Sequence, residues 1–123
     1  MKKENENEDY TKTYNLDAKD KVLGRFAVEV CHLLRGKNNS DYAPHKDMNV
    51  VVIIKNIDKM RVTGKKYDDK IYYRHSGYMG GLKEIPYKKI FEKDPRKILR
   101  SAVIGMLPKN RLRAKFIKRL KFN

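Results

Sequence analysis

The sequence predicts an α/β protein: a single domain in which a mixed sheet of about four strands is flanked by helices and closed by a basic C-terminal helix. Three observations carry that expectation. Leu23, Phe26, Ala27, Val30, Cys31 and Leu34 recur at i, i+3, i+4, i+7, i+8 and i+11, an apolar stripe at helical spacing. Val50-Val51-Val52-Ile53-Ile54 is continuously apolar and mostly β-branched, the mark of a strand covered on both faces. Ile98, Leu99, Ala102, Val103 and Met106 return to helical spacing, and helices interleaved with strands pack as layers.

Residues 1–12 are polar and read as a tail, so the domain is expected over 13–123. Residues 13–17 read as a short strand with Tyr14 and Leu16 on one face, before a polar turn. The first helix ends at Arg35-Gly36-Lys37, where Gly36 supplies a left-handed cap. After the central strand, Asn56 and Asp58 mark a turn, residues 60–63 a short strand, and Gly64 a break. Asp68-Asp69 falls in a predicted hairpin turn, followed by a Tyr-rich strand over 71–75. Residues 76–81 hold three glycines and form an irregular loop. Pro86 opens a short helix, and Asp94-Pro95 supplies the N-cap and first turn of the next, which Gly105 and Pro108 stop.

Folding a chain of 123 residues buries roughly two thirds of its extended surface, enough for one domain. No apolar run approaches the ~20 residues that span a bilayer, and residues 1–9 lack the apolar core of a secretion signal. Charge is more informative. The net charge is +15, and residues 95–123 hold ten basic and no acidic side chains, leaving +5 for everything before them. A chain of this kind calls for an anionic partner, and nucleic acid is the favoured one.

At ~100° of rotation per residue, Leu112, Phe116, Ile117 and Leu120 gather on one side of the last segment. Arg111, Lys115, Lys118 and Arg119 gather on the other, and the absence of acidic neighbours points that face at phosphate rather than at solvent alone. In the glycine loop, Gly77, Gly80 and Gly81 let backbone approach phosphate or ribose, Arg74 and His75 donate to phosphate oxygens, and Tyr73 or Tyr78 stacks on an unpaired base. The glycine spacing fits no nucleotide cradle.

Several stretches together resemble a known family, the universal large-subunit ribosomal protein number thirteen in its bacterial form. Leu23-Gly24-Arg25-Phe26-Ala27 and Leu34-Arg35-Gly36-Lys37 look like its first-helix motif, after a characteristic Leu16-Asp17-Ala18. Tyr42-Ala43-Pro44-His45 and Val62-Thr63-Gly64-Lys65-Lys66 follow. Tyr72-Tyr73-Arg74-His75-Ser76-Gly77-Tyr78 with Gly80-Gly81-Leu82-Lys83 is similar to the glycine-loop signature, and residues 102–110, ending Leu107-Pro108-Lys109-Asn110, are the most specific stretch. Met48-Asn49 stands where Gly-Asp is usual, Arg113-Ala114 where Gly-Arg is usual, and Tyr14 lacks the usual Trp neighbour.

The resemblance implies a structural protein of the large ribosomal subunit that binds its rRNA early in assembly, without catalysis; neighbouring ribosomal proteins are further expected partners, and no cofactor or metal is expected. The motif positions Arg25, Arg35, Lys37, His45, Lys65 and Lys66 join the RNA-binding candidates. So do Ser76, Lys109, Asn110 and Lys121. A bacterial cytoplasm is the expected location, with an organellar ribosome as the alternative.

An enzyme is disfavoured on the residues themselves. Cys31 and His32 are helix neighbours pointing about 100° apart, so they form no dyad, and the Lys- and Arg-rich surroundings of His45 and His75 repel a metal cation. The runner-up is a basic DNA-binding or nucleoid protein, though no helix-turn-helix, zinc-finger or zipper pattern supports it. A third reading, membrane docking through residues 109–123, conflicts with the need of that segment's apolar side to cover the sheet.

Overall fold

The computed structural model describes residues 12–123, so the expected tail lies outside the described residues except for Lys12, which opens the first strand. In β1 (Lys12–Asp17) only Tyr14 and Leu16 turn inward, as two-residue alternation requires. Helix α1 (Leu23–Arg35) buries all six residues of its stripe and ends at Gly36, whose φ of +71° lets its N–H reach the carbonyls of His32 and Leu33. Only glycine fits there: a Cβ would lie 2.6 Å from the Met48 side chain.

Strand β2 (Val50–Lys55) runs parallel to β1 on one side, in register from Lys12 with Val50 to Asp17 with Lys55. On its other side it runs parallel to β5 (Leu120–Phe122). The sheet order is therefore β1-β2-β5. Val50, Val52 and Ile54 join the core under α1, while Val51 is buried on the opposite face, so the continuous apolar run does mark a strand covered on both sides. Asp17 ties the strand ends together, accepting from the Lys19 N–H and the Asn56 amide, both at 2.9 Å, and these bonds hold its carboxyl below the usual range.

The expected strand over 60–63 shrinks to one bridge between Arg61 and Val22. Met60 is drawn into the core and Gly64 turns the chain at a φ of +64°, so little more than Arg61 lies extended beside Val22. Asp68 and Asp69 sit in a single helical turn, α2 (Lys66–Asp69), not in a hairpin turn. The hairpin comes later: β3 (Ile71–His75) pairs antiparallel with β4 (Leu82–Pro86), a strand not expected from the sequence. The α/β class holds, with the five strands of the described residues divided between a parallel sheet and a separate hairpin.

Pro86 ends β4, and α3 (Tyr87–Lys93) starts one residue later, the Tyr87 N–H donating to the Lys70 carbonyl at 2.8 Å. Tyr87 is fully buried, edge-on to Tyr67 (5.7 Å between centroids) and stacked with Phe91 (5.8 Å). Burial pushes its phenol up to about 12, and its hydroxyl has no hydrogen-bond partner among the described residues. Helix α4 (Pro95–Met106) begins as expected, the Asp94 carboxylate accepting from the Arg96 N–H at 3.1 Å, but it continues through Gly105. The buried Cys31 thiol donates to the Val103 carbonyl (3.7 Å), tying α1 to α4, and burial pushes it up to about 11. It is a core residue, not a nucleophile.

The C-terminal segment departs most from expectation. Helix α5 (Leu112–Lys118) ends after seven residues, because Leu120 and Phe122 alternate into a strand that completes the free edge of β2. Arg119, expected on the phosphate-facing side, is the buried charged residue of the described chain, 6% exposed. Its guanidinium makes a two-pronged ion pair with Asp47, one prong at 2.6 Å, and donates to the Asn49 side-chain oxygen at 3.0 Å.

Chiefly through the Arg119 hydrogen bond, and less through the Asn49 N–H and Lys115, the Asp47 carboxyl lies below its usual range. A depressed carboxyl contributes stability that is present above its unfolded pKa, near 4, and is lost as pH falls through the folded value. Asp47→Asn leaves a buried guanidinium uncompensated and is expected to cost about 3 kcal/mol at neutral pH. Urea titrations should show the gap to wild type closing below about pH 4; a constant gap would show that the carboxylate charge is not what holds Arg119. Tyr87→Phe, which removes an unpartnered buried hydroxyl, is expected to leave the unfolding free energy from urea titration unchanged or raise it by up to about 1 kcal/mol.

Candidate nucleic-acid interface

The pleat of the hairpin sorts its residues onto two faces. Tyr72, Arg74, Lys83 and Ile85 share the face on which Tyr72 stacks on the buried Tyr87 at 6.4 Å. Tyr73, His75 and Leu82 share the other, where Tyr73 is 63% and Leu82 53% exposed. Loop 76–81 is closed by the Ser76 N–H donating to the Gly81 carbonyl and the Gly81 N–H donating to the Tyr78 carbonyl, both at 3.0 Å. At its tip Tyr78 is 80% exposed and Met79 fully so. The Gly77 N–H donates to His75 Nδ1 at 2.9 Å, which makes Nδ1 the acceptor and leaves Nε2 as the donor of the neutral ring.

The three loop glycines have separate reasons to be glycine. Gly77 and Gly80 adopt φ of +89° and +69°, with open space where a Cβ would stand. A Cβ on Gly81 would fall 2.8 Å from the Tyr78 carbonyl and would collide with the Ser76 side chain. Gly81 is thus required by the loop itself, while the backbone at Gly77 and Gly80 stays open to an approaching partner.

Lys109 and Arg111 in the turn leading into α5, and Lys115 and Lys118 on the helix, stand exposed around a buried Phe116. Two expected contributors have internal duties: Arg119 is paired with Asp47, and the Asn110 side-chain oxygen caps α5 by accepting from the N–H groups of Leu112 (3.1 Å) and Arg113 (3.2 Å). The Asp47 contact draws the segment carrying exposed His45 and Lys46 toward α5. Lys121 is exposed on β5.

Elsewhere the candidates are dispersed. Arg35 is half-buried and donates to the Tyr42 hydroxyl at 2.8 Å with its guanidinium over that ring, so it holds the loop after α1. Lys37 lines a hollow of about 250 Å³ with Arg35 and His32, and Arg25 stands exposed on α1. Lys65 and Lys66 flank a shallow depression with Lys70 at α2. Lys89, Lys93 and Lys97 are cations the sequence reading passed over: with Arg74 they line a groove of about 530 Å³ between the hairpin and α3–α4. Their spacing of four residues was the available signal, but which element they faced depended on an unrecognised strand.

Among the described residues no three His, Cys, Asp or Glu side chains converge on a metal geometry, and no helix is long and apolar enough to cross a membrane. The fold and surface define a class: a small, strongly basic α/β protein whose cations stand on a short helix, a protruding hairpin and a groove. Comparison narrows it. The family model described as Ribosomal protein L13 matches residues 11–122. The large ribosomal subunit protein uL13 of Nitrosomonas eutropha is 53% identical over 106 residues, covering 86% of this chain and 74% of that one. Its counterpart in Nitratidesulfovibrio vulgaris strain Miyazaki F is 50% identical with the same coverage, and that of Rubrobacter xylanophilus is 48% identical over 110 residues. The chain belongs to the ribosomal protein L13 family.

The glycine geometry generates a test. In Gly81→Ala the added carbon meets backbone, so the Ser76 amide is expected to lose its hydrogen-exchange protection. Gly80→Ala, which costs only roughly 1–2 kcal/mol of left-handed strain, should retain part of it. Equal protection in the two variants would contradict the packing role of Gly81.

Proposed function

We propose that this protein is a structural constituent of the large ribosomal subunit, which binds large-subunit rRNA and supports its assembly on a bacterial, cytoplasmic ribosome. Family membership across residues 11–122 carries this reading. The physics agrees: a +15 chain gains by neutralising phosphate, and the exposed cations of α5 have no carboxylate in their own segment to compete for them. The single domain works as a rigid mount. Lys109, Arg111, Lys115 and Lys118 meet the phosphate backbone, Arg74 and the His75 Nε2–H donate to phosphate oxygens, and Tyr78 offers a stacking ring at the hairpin tip. Neighbouring ribosomal proteins are its other partners. No membrane, small-molecule substrate or catalytic step enters this reading, and nothing favours the nucleoid alternative over it.

On a sucrose gradient of native lysate the chain should travel with large subunits and survive moderate salt washing; recovery in free or nucleoid fractions would refute the assignment. Changing Lys109, Arg111, Lys115 and Lys118 together to Gln should flatten the slope of log affinity for rRNA against log salt by roughly three units, since each lost contact is worth roughly 0.7–0.9. Helicity should persist, because Gln has a propensity close to those of Lys and Arg. An unchanged slope with helicity intact would place this face in solvent.

A further inference from the structure

We infer that the groove between the β3–β4 hairpin and helices α3 and α4 is a seat for one unpaired nucleotide of single-stranded RNA, with the base on an apolar floor and the adjoining phosphates on a lysine rim. The inference rests on the RNA-binding reading above and names a specific subsite for it. Three features of the groove specify the ligand chemistry.

The first is its lining. Ile85, Ile90 and Tyr72 supply apolar surface over the buried Ile98, while Arg74, Lys89, Lys93 and Lys97 supply charge. Lys89 and Lys93 lie four residues apart on α3 beside Ile90, and α4 adds Lys97, Ile98 and Ser101, so each helix turns one face to the same space. A ligand that is flat and apolar at one end and anionic at the other suits both parts.

The second is the balance of charge. The one carboxylate lining the groove, Asp94, is engaged by the Arg96 N–H as the cap of α4. None of the four cations has a carboxylate within ion-pair distance among the described residues. Four cations against this one carboxylate leave a net positive field in a concave space, where field lines are focused.

The third is size and shape. About 530 Å³ lies within the range of small-molecule sites of roughly 300–1,000 Å³, so a single nucleotide fits and a duplex does not. Lys89 and Lys93 are four residues apart on α3, a rise of about 6 Å, and Lys97 extends the row into the next helix. A row of cations suits consecutive phosphates of a strand better than the single phosphate of a free nucleotide.

The test titrates the full-length, ¹⁵N-labelled chain with a single-stranded RNA hexanucleotide, the matching RNA duplex and adenosine monophosphate. The hexanucleotide is expected to shift the amides of Arg74, Ile85, Ile90 and Lys97 together, the duplex to leave them in place, and the monophosphate to bind roughly tenfold or more weakly. The triple variant K89Q/K93Q/K97Q should unfold at the wild-type temperature and lose roughly tenfold in hexanucleotide affinity at low salt. Its salt slope for large-subunit rRNA should be shallower by roughly two units. Shifts confined to loop 76–81 and α5, equal shifts with duplex, or equal affinity for the monophosphate would each overturn the inference. Such a failure leaves the ribosomal reading standing so long as the wild-type chain still binds rRNA; loss of rRNA binding by the wild-type chain would remove both.

Discussion

The ion pair between Arg119 and Asp47 is the contact on which the arrangement of the basic surface depends. It joins residues 72 positions apart, at the two ends of the route between the loop preceding β2 and the turn into β5. With it in place, Leu120 and Phe122 fall into register beside Val52 and Ile54, and α5 must stop at Lys118 and lie against the core through Phe116. A buried pair contributes little net stability compared with apolar side chains of the same shape, yet breaking it is costly, so its value here lies in specifying one arrangement. In a chain crowded with cations, that specificity decides which arginine goes inside and which stay out.

The distribution of charge follows from this. Asp47 is drawn below its usual carboxyl range by Arg119 and assisted by Lys115, so an anion of the loop is held under the basic helix and keeps that helix from repelling its own scaffold. The remaining cations of α5, the hairpin and the groove stand where solvent reaches them. The aromatic cluster of Tyr67, Tyr72, Tyr87 and Phe91 anchors the base of the hairpin, which explains how a two-stranded ribbon with exposed Tyr73, Leu82 and Met79 keeps its shape. Two isolated strands are marginal in water, and this base supplies the missing layer.

What could be read from the sequence divides along the range of the interactions involved. The α1 stripe, the Gly36 cap, the Asp94-Pro95 start and the central strand were legible because each is set by residues within a few positions of one another. Strand β4 was not, since Leu82-Lys83-Glu84-Ile85-Pro86 has no two-residue alternation and is stabilised by pairing with β3. The burial of Arg119 was hidden for the same reason: at helical spacing it matches the exposed face, and only Asp47, far along the chain, turns it inward. The family motifs identified the basic and glycine-rich positions, but Asn110 as a helix cap, Arg35 as a loop holder and Gly81 as a packing residue emerged only from the geometry. The lysine row of the groove lay outside those motifs and became visible once β3 and β4 were seen to face α3 and α4.

The central claim, that the exposed cations of this scaffold are the surface on which rRNA lies, is tested most directly by chemical footprinting of lysines in the free chain and in purified large subunits. Brief acetylation followed by mass spectrometry reads each amine separately. Lys109, Lys115 and Lys118 should react readily in the free protein and be protected in the particle. Equal reactivity of these amines in both states would contradict an rRNA-facing α5 and with it the functional assignment of the basic surface.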